Sequence, residues 1–387
     1  MVAEIIYEIG LGHRRPGFDT INDWESATQI DCVSSGVIIV GELIENKIYD
    51  EDSITFTGAT ADATRYRVLR AAPAVRHNGT FGTGPIIKSD LGGSAAVINF
   101  AESYARLEDV QLDGGDTVMY AVYGNGSYVG WQCNRVLAHG CYYGGFTYFQ
   151  TGEMNNCVAH NCGMADWVFG GFAGPSADNT LVTARHCVAF RNNDGDAEIG
   201  VTAFRYIIAQ NCAAFNYGNT AGHADFLNLG VGSEKNASSD STGSEAALQS
   251  IDPATVFIST TSGAGDFMLS SGTSPFNSTG SGTTLILDIQ RQTRDLTSPD
   301  VGIDEWHIPS KDVHTYPTAR RDFLPMSGEY VFTDGIVQMP TGLGTPAAQS
   351  RVVDGATIPL HGQVIYIQDS GLLAVTSGLG FWYELEF

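Results

Sequence analysis

Three carboxylates crowd the phrase Asn192-Asn-Asp-Gly-Asp-Ala-Glu-Ile: Asp194, Asp196 and Glu198. Paired carboxylates can cleave a glycosidic bond, one as the acid and the other as base or nucleophile. Asp113 and Asp116 stand earlier in the chain, with Asp166 between. Asp194 and Asp196 flank Gly195, where Asp is expected for turn geometry alone, so the turn reading outweighs the catalytic one. The turns Asn193-Asp-Gly-Asp196 and Leu112-Asp-Gly-Gly-Asp116 offer oxygen ligands to Ca²⁺, yet neither has the full spacing of a calcium-binding loop. Apart from that cation, no cofactor is expected. Lyase chemistry would need a base beside cations. His139, His160, Arg185-His186 and Arg191 are the available groups, and the two aligned histidines read more simply as a structural stack. Cys157-Val-Ala-His160 with Cys162 does not converge on a strand of period two, so no metal site is expected there. Nucleophile-elbow, phosphate-loop and zinc-protease motifs are absent, and Gly124-Asn-Gly126-Ser-Tyr-Val-Gly130 has the wrong last spacing for a dinucleotide loop.

Aromatic residues form the other candidate constellation. Tyr142, Tyr143, Phe146, Tyr148, Phe149, Trp167, Phe169 and Phe172 fall in one stretch. Exposed rings can stack on sugars, and Tyr143, Tyr148 and Trp167 are the candidates for that role; packing in a core or between subunits is the stronger reading for the group.

What must position these residues is a repeat. Val136-Leu-Ala-His-Gly140, Cys157-Val-Ala-His-Asn161, Cys187-Val-Ala-Phe-Arg191 and Cys212-Ala-Ala-Phe-Asn216 are variants of one phrase, with Val110-Gln-Leu-Asp-Gly114 a fainter copy before them. Steps of 26, 21, 30 and 25 residues match one coil of a parallel β-helix and are too short for a propeller blade. The segments are small, β-branched and punctuated by Gly, unlike the amphipathic runs of helical repeats. The expected fold is all-β: a right-handed parallel β-helix over 86–306, with an N-terminal cap at 1–85 and a small C-terminal β domain at 307–387. Cys157, Cys187 and Cys212 recur in phase and are expected inside as free thiols. Asn161, Asn192 and Asn216 are expected to stack at one turn, and the Ser/Thr/Gly-rich stretch 234–284 is expected to be loop. In the cap, Asp19 or Thr20 can start a short helix that turns Ile21, Trp24 and Ala27 to one face.

Twenty basic against 43 acidic residues give a formal charge of −23, a field that excludes nucleic acid as a partner. No apolar run approaches the roughly 20 residues that span a bilayer, so no membrane insertion is expected. The acidic opening Met1-Val-Ala-Glu-Ile-Ile-Tyr-Glu lacks a secretory pattern, which points to synthesis in a cytoplasm.

The ordered phrases Ile251-Asp-Pro-Ala-Thr-Val-Phe257, Gly265-Asp-Phe-Met-Leu269, Ser274-Pro275, Asp288, Arg294 and Ser298-Pro-Asp-Val-Gly-Ile-Asp-Glu-Trp306 resemble the ending shared by many bacterial and phage right-handed parallel β-helix proteins. Val301 and Ile303 stand at the variable apolar places of that signature. The stretch from Asp19 to Ala27, with Ala61-Asp-Ala-Thr-Arg-Tyr66 and Arg76-His-Asn-Gly79, resembles openings of phage structural proteins. The resemblance implies a non-enzymatic virion protein, made in the host cytoplasm and displayed on the particle surface as a capsid decoration, fibre or spike. Its partners would be copies of itself (a trimer favoured), other virion proteins and a host-surface glycan. A polysaccharide-degrading tailspike is the alternative, and a bacterial surface adhesin a third. Strand-like phrases after Trp306 end in Phe381-Trp-Tyr-Glu-Leu-Glu-Phe387. Phe381, Trp382, Tyr383 and Phe387 are the candidate oligomer or docking contacts, because an exposed aromatic strand needs a partner.

Overall fold

A computed structural model describes residues 2–306, apart from 90–92, 125–126, 164–169, 176–180, 192–201, 218–223, 262–264 and 272, together with the backbone of the strands between 329 and 385. The chain divides into two units, Met1–Trp306 and His307–Phe387.

The first unit is a right-handed parallel β-helix whose coils contribute, among the described residues, to three parallel sheets of nine, eight and seven strands. A typical coil runs through Trp131–Asn134 in sheet 1, Leu137–His139 in sheet 2 and Gly144–Thr147 in sheet 3. The repeat phrases are the sheet 2 strands, paired in the expected phase: Leu137 opposite Val158, Val158 opposite Val188, and Val188 opposite Ala213. Inside, Ala138, Ala159, Ala189 and Ala214 form a thin wall, and Phe146, Phe172, Phe204 and Phe226 stack opposite at centroid spacings of 4.9, 4.8 and 5.0 Å. The lumen is narrow, and a Cβ on Gly145 or Gly171 would lie 2.8 Å from the Cβ of Ala159 or Ala189. All seven cysteines are free and buried. The Cys157, Cys187 and Cys212 thiols donate to the carbonyls of Cys133, Met154 and Ala184 at 3.3–3.4 Å.

One residue turns the chain from sheet 1 into sheet 2 in each coil. Asp109, Arg135, Asn156, His186, Asn211 and Lys235 hold this corner in the left-handed region, with φ of 53–59°. On the other side of sheet 2, Gly140, Asn161 and Asn216 are left-handed as well. Asn tolerates this conformation best after Gly, but Asn161 and Asn216 do not stack directly: register puts Arg191 between them, and Asn216 Nδ2 donates to its carbonyl at 2.9 Å. Asn192 lies outside the described residues.

The segment 1–85 is not a separate cap. Ala3–Ile9, Val37–Leu43 and Arg67–Ala71 are the first strands of sheet 1, continuing by direct pairing into Arg106–Glu108. Ile48–Asp50 and Ile54–Phe56 likewise open sheets 2 and 3. Capping itself falls to the helix Ile21–Ala27, started by Thr20, whose Oγ1 accepts from the Asp23 N–H at 3.0 Å. Its Trp24 enters the core, reaching Phe56 at 5.6 Å, while Ala27 is exposed. Buried Arg67 ties this helix to the coils, donating to Glu25 at 2.9 Å and Glu102 at 2.6 Å.

Nor do the coils run to Trp306. The last paired sheet 2 strand is Ala237–Ser238, and the chain then returns over the outside of sheet 2. The reason lies in the repeat: Leu137, Val158, Val188, Phe190, Ala213 and Phe215 face outward from sheet 2, and an apolar outer face must be covered. Val256, Phe257, Phe267, Phe276, Val301 and Ile303 cover it, forming a second hydrophobic cluster distinct from the lumen. This return segment, here called the strap, also grips the corner residues. Asn156 Nδ2 donates to the Leu287 carbonyl at 2.9 Å, and Asn211 Nδ2 to that of Ser281 at 3.0 Å. Arg294 Nη2 reaches Asn156 Oδ1 at 2.9 Å. The phrases that carry the family resemblance are therefore the strap. Within it the Asp300, Asp304 and Glu305 carboxylates accept from the N–H groups of Trp306, Leu269 and Asp300 at 2.6, 2.9 and 3.0 Å.

In the second unit, Glu329–Phe332 and Gly335–Gln338 form an antiparallel hairpin, and a four-stranded sheet ends on the edge strand Trp382–Leu385. Trp382 and Tyr383 are on that edge strand; Phe381 and Phe387 lie outside the described residues. Among the described residues, no helix is long and apolar enough to cross a membrane.

Candidate carbohydrate-binding face

Five tyrosines converge where two neighbouring coils pass through sheet 3. Tyr120 and Tyr123 belong to Val118–Gly124, while Tyr142, Tyr143 and Tyr148 bracket Gly144–Thr147 in the next coil. The backbone sets their places: Tyr142 N–H and Tyr143 N–H donate to the carbonyls of Val118 and Met119 at 2.8 Å. Tyr148 sits left-handed at φ 64°, which ends the strand. Ring centroids lie 5.2 Å apart for Tyr120 and Tyr123, 5.3 Å for Tyr123 and Tyr148, 5.9 Å for Tyr120 and Tyr148, and 6.1 Å for Tyr120 and Tyr143. Tyr142 adds a fifth ring, 5.1 Å from Tyr143 and 43% exposed. The other four are half-buried.

Burial raises the Tyr120 phenol above its ordinary value, reinforced by Tyr148; burial also raises that of Tyr123. Both phenols stay neutral at physiological pH. Asn99 and Thr147 flank Tyr123 in the strand ladder. Asn99 Oδ1 and Thr147 Oγ1 are buried with no hydrogen-bond partner among the described residues.

The structure thus sorts the aromatic stretch by chemistry. Phe146, Phe149 and Phe172 enter the lumen, whereas Tyr143 and Tyr148 come together on the partly exposed cluster with Tyr142. Tyr120 and Tyr123, which reasoning on that stretch missed, sit one coil earlier; the signal was a strand with two tyrosines just before the aromatic stretch. Trp167, Asp194, Asp196 and Glu198 lie outside the described residues. His139 and His160 do not stack face to face but meet edge to face at 5.2 Å, and His160 continues into Phe190 at 5.6 Å, so the two rings are packing residues in the seam under the strap. Burial pushes the His160 imidazole down to about 3. Asp113 Oδ1 accepts from the Gly115 N–H at 2.9 Å, as a turn carboxylate does.

Sheet 1 carries a polar outer face. Register aligns Glu108, Asn134, Asn155, Arg185 and Gln210 in one row, and Arg106, Gln132, Glu153 and Thr183 in the next. Asn155 Nδ2 donates to Asn134 Oδ1 at 3.0 Å, and Arg185 pairs with Glu153 at 3.1 Å. The Arg106 guanidinium lies 3.4 Å over the Tyr66 ring, within the field of Glu108 and Glu153.

No family model matches the chain, and no curated protein matches it. Among solved structures, the chain is similar to the pectin methylesterase from Aspergillus niger in deglycosylated form, at 14% identity and a TM-score of 0.34, over 59% of this chain and 87% of that one. A second structure of that enzyme, penultimately deglycosylated, gives 14% identity and a TM-score of 0.35 over 63% and 88%. Likeness of that order says nothing about this chain's chemistry.

Proposed function

We propose that this protein is a rigid, non-enzymatic solenoid displayed on the surface of a phage particle, as a capsid decoration, fibre or spike, and that its tyrosine cluster holds a host-surface glycan. The observation carrying the binding part is the convergence of five phenol rings from two coils. Ring faces pack on the C–H faces of a pyranose, and phenol hydroxyls exchange hydrogen bonds with sugar hydroxyls. A backbone locked in stacked coils holds those rings without the ordering cost of a loop. The particle assignment rests on the resemblance of the opening and of the strap. A homo-oligomer, trimer favoured, would present several such faces and gain avidity.

Calorimetry with host-surface polysaccharide tests the reading. Wild-type protein should bind saturably, and Tyr123→Ala with Tyr148→Ala should weaken binding at least tenfold while circular dichroism stays unchanged. Equal binding by this double variant would overturn the assignment. Mass spectrometry of purified particles tests the location, with absence from virions the contrary result.

A further inference from the structure

At the first gripped corner, three guanidinium groups share a single carboxylate. Asp109, 3% exposed, accepts from Arg135 Nε at 2.6 Å and from Arg291 Nη2, and it faces Arg76 Nε at 3.4 Å. The three arginines come from separate elements: Arg76 from the turn after Arg67–Ala71, Arg135 from the next corner, and Arg291 from the strap. Other nearby charges are engaged elsewhere. Arg70 pairs with Glu4 and Glu42, and Glu108, which also acts on Arg135, accepts from Asn134 Nδ2 at 3.4 Å.

Two positive charges are therefore left over at this point, on a chain whose formal charge is −23. The donors are not used up either. Among the described residues Arg291 Nε is buried with no partner, and beyond Asp109 the Arg76 guanidinium makes only a long contact to the Ala71 carbonyl at 3.4 Å. Arg76 and Arg291 remain 21% and 32% exposed, so the excess is open to solvent.

We propose that Arg76, Arg135 and Arg291 around Asp109 form a binding site for a tetrahedral oxyanion, a phosphate or sulfate group, either free or borne on an acidic glycan. Planar guanidinium forks match the oxygen spacing of such groups and bind them in pairs of hydrogen bonds. Asp109 orients the forks and keeps the cluster from flying apart while leaving a net charge of the right sign. Burial lowers the Arg76 guanidinium below its ordinary value; Asp109 opposes that, Arg291 and Arg135 add to it by repulsion, and an anion would relieve the repulsion. The site is distinct from the tyrosine cluster and does not depend on it.

Calorimetry on the full chain tests the proposal, with inorganic phosphate, sodium sulfate and dextran sulfate titrated at about 0.15 M NaCl so that diffuse charge effects are screened. Wild-type protein should bind at least one of these probes saturably. Arg76→Gln should weaken that binding at least tenfold, Arg76→Lys should fall between, and Arg185→Gln on sheet 1 should leave it unchanged. Binding of free phosphate or sulfate identifies a site for the ion itself; binding of dextran sulfate alone identifies a group carried on a polymer. No saturable binding by any probe, or equal loss in Arg185→Gln, overturns the proposal. If Arg76→Gln does not fold, the Arg76→Lys and Arg185→Gln pair decides it.

Discussion

Replacing Arg294 by Met should unfasten the strap while leaving the coils intact. Arg294 is fully buried and donates to the carbonyls of Ile303 at 2.7 Å, Gly302 at 3.1 Å and Asp304 at 3.4 Å, to Asn156 Oδ1 at 2.9 Å, and to Glu305 Oε2 at 3.2 Å. It is also the cation in the field of Asp288, Glu305, Asp304 and Asp300. Met keeps most of the volume but removes all the donors, leaving acceptors unpaired and carboxylates buried without a counter-charge. Removing one partner of a buried ion pair costs about 3–5 kcal/mol, a large part of the roughly 5–15 kcal/mol that holds a domain together. That loss should be local, because the strap packs in its own cluster of Val188, Phe190, Phe215, Phe257 and Phe276 while the lumen is a separate one. In urea, Trp306 fluorescence should report strap release well below the coil transition followed by far-UV circular dichroism. A hydrophobic dye should bind the uncovered outer face of sheet 2, and protease should cut within 277–305. A strap transition shifted by less than about 1 kcal/mol, or strap and coils lost together in the variant, would refute the reasoning.

Stability should fall as pH rises from 6.5 to 8. Burial raises Asp225 to about 7, despite the backbone and Ser239 donors that favour its ionised form, and raises Asp304 to about 8. The folded chain therefore holds protons that the unfolded chain has already lost, and that advantage disappears across this window, by about 2 kcal/mol in urea denaturation. Below pH 6.5, His77 and His160, lowered by burial to about 4 and 3, work in the opposite direction, since the unfolded state then binds protons the folded state refuses. Stability that is flat or rising above pH 6.5 would contradict this account. Phe204→Ala, in the middle of the lumen stack, should cost about 3–5 kcal/mol in the coil transition, against less than about 0.5 kcal/mol for an exposed control such as Leu181→Ala. Thiol reagents should label the seven buried cysteines only on unfolding; rapid native labelling of Cys157, Cys187 or Cys212 would mean the coil register is wrong. Truncation at about Pro309 should leave a folded first unit that sediments as a monomer, whereas the full chain, with its edge strand Trp382–Leu385, should self-associate. A monomeric full chain would count against that role.

The fold was legible because a parallel solenoid writes its register into the chain. Each sheet 2 strand lies directly on its copy one coil away, so Cys157, Cys187 and Cys212, or Ala138, Ala159, Ala189 and Ala214, must recur in phase. The capping helix was legible for a local reason too, since Thr20 bonds within its own first turn. What the repeat could not disclose was anything made between segments remote in sequence. Alternation along a strand turns Leu137, Val158, Val188, Phe190 and Phe215 of the repeat outward, away from the lumen alanines. Only folding back of 251–306 shows what covers them. Likewise Tyr143 and Tyr148 were singled out, but their meeting with Tyr120 and Tyr123, and the exclusion of Phe146 and Phe172 to the lumen, depend on which face each strand presents after the turns. Arg76, Arg135 and Arg291 are still farther apart in the chain. Nothing in their spacing marks them, because charge in a folded protein is counted by distance in space, and only the corner at Asp109 brings the three together.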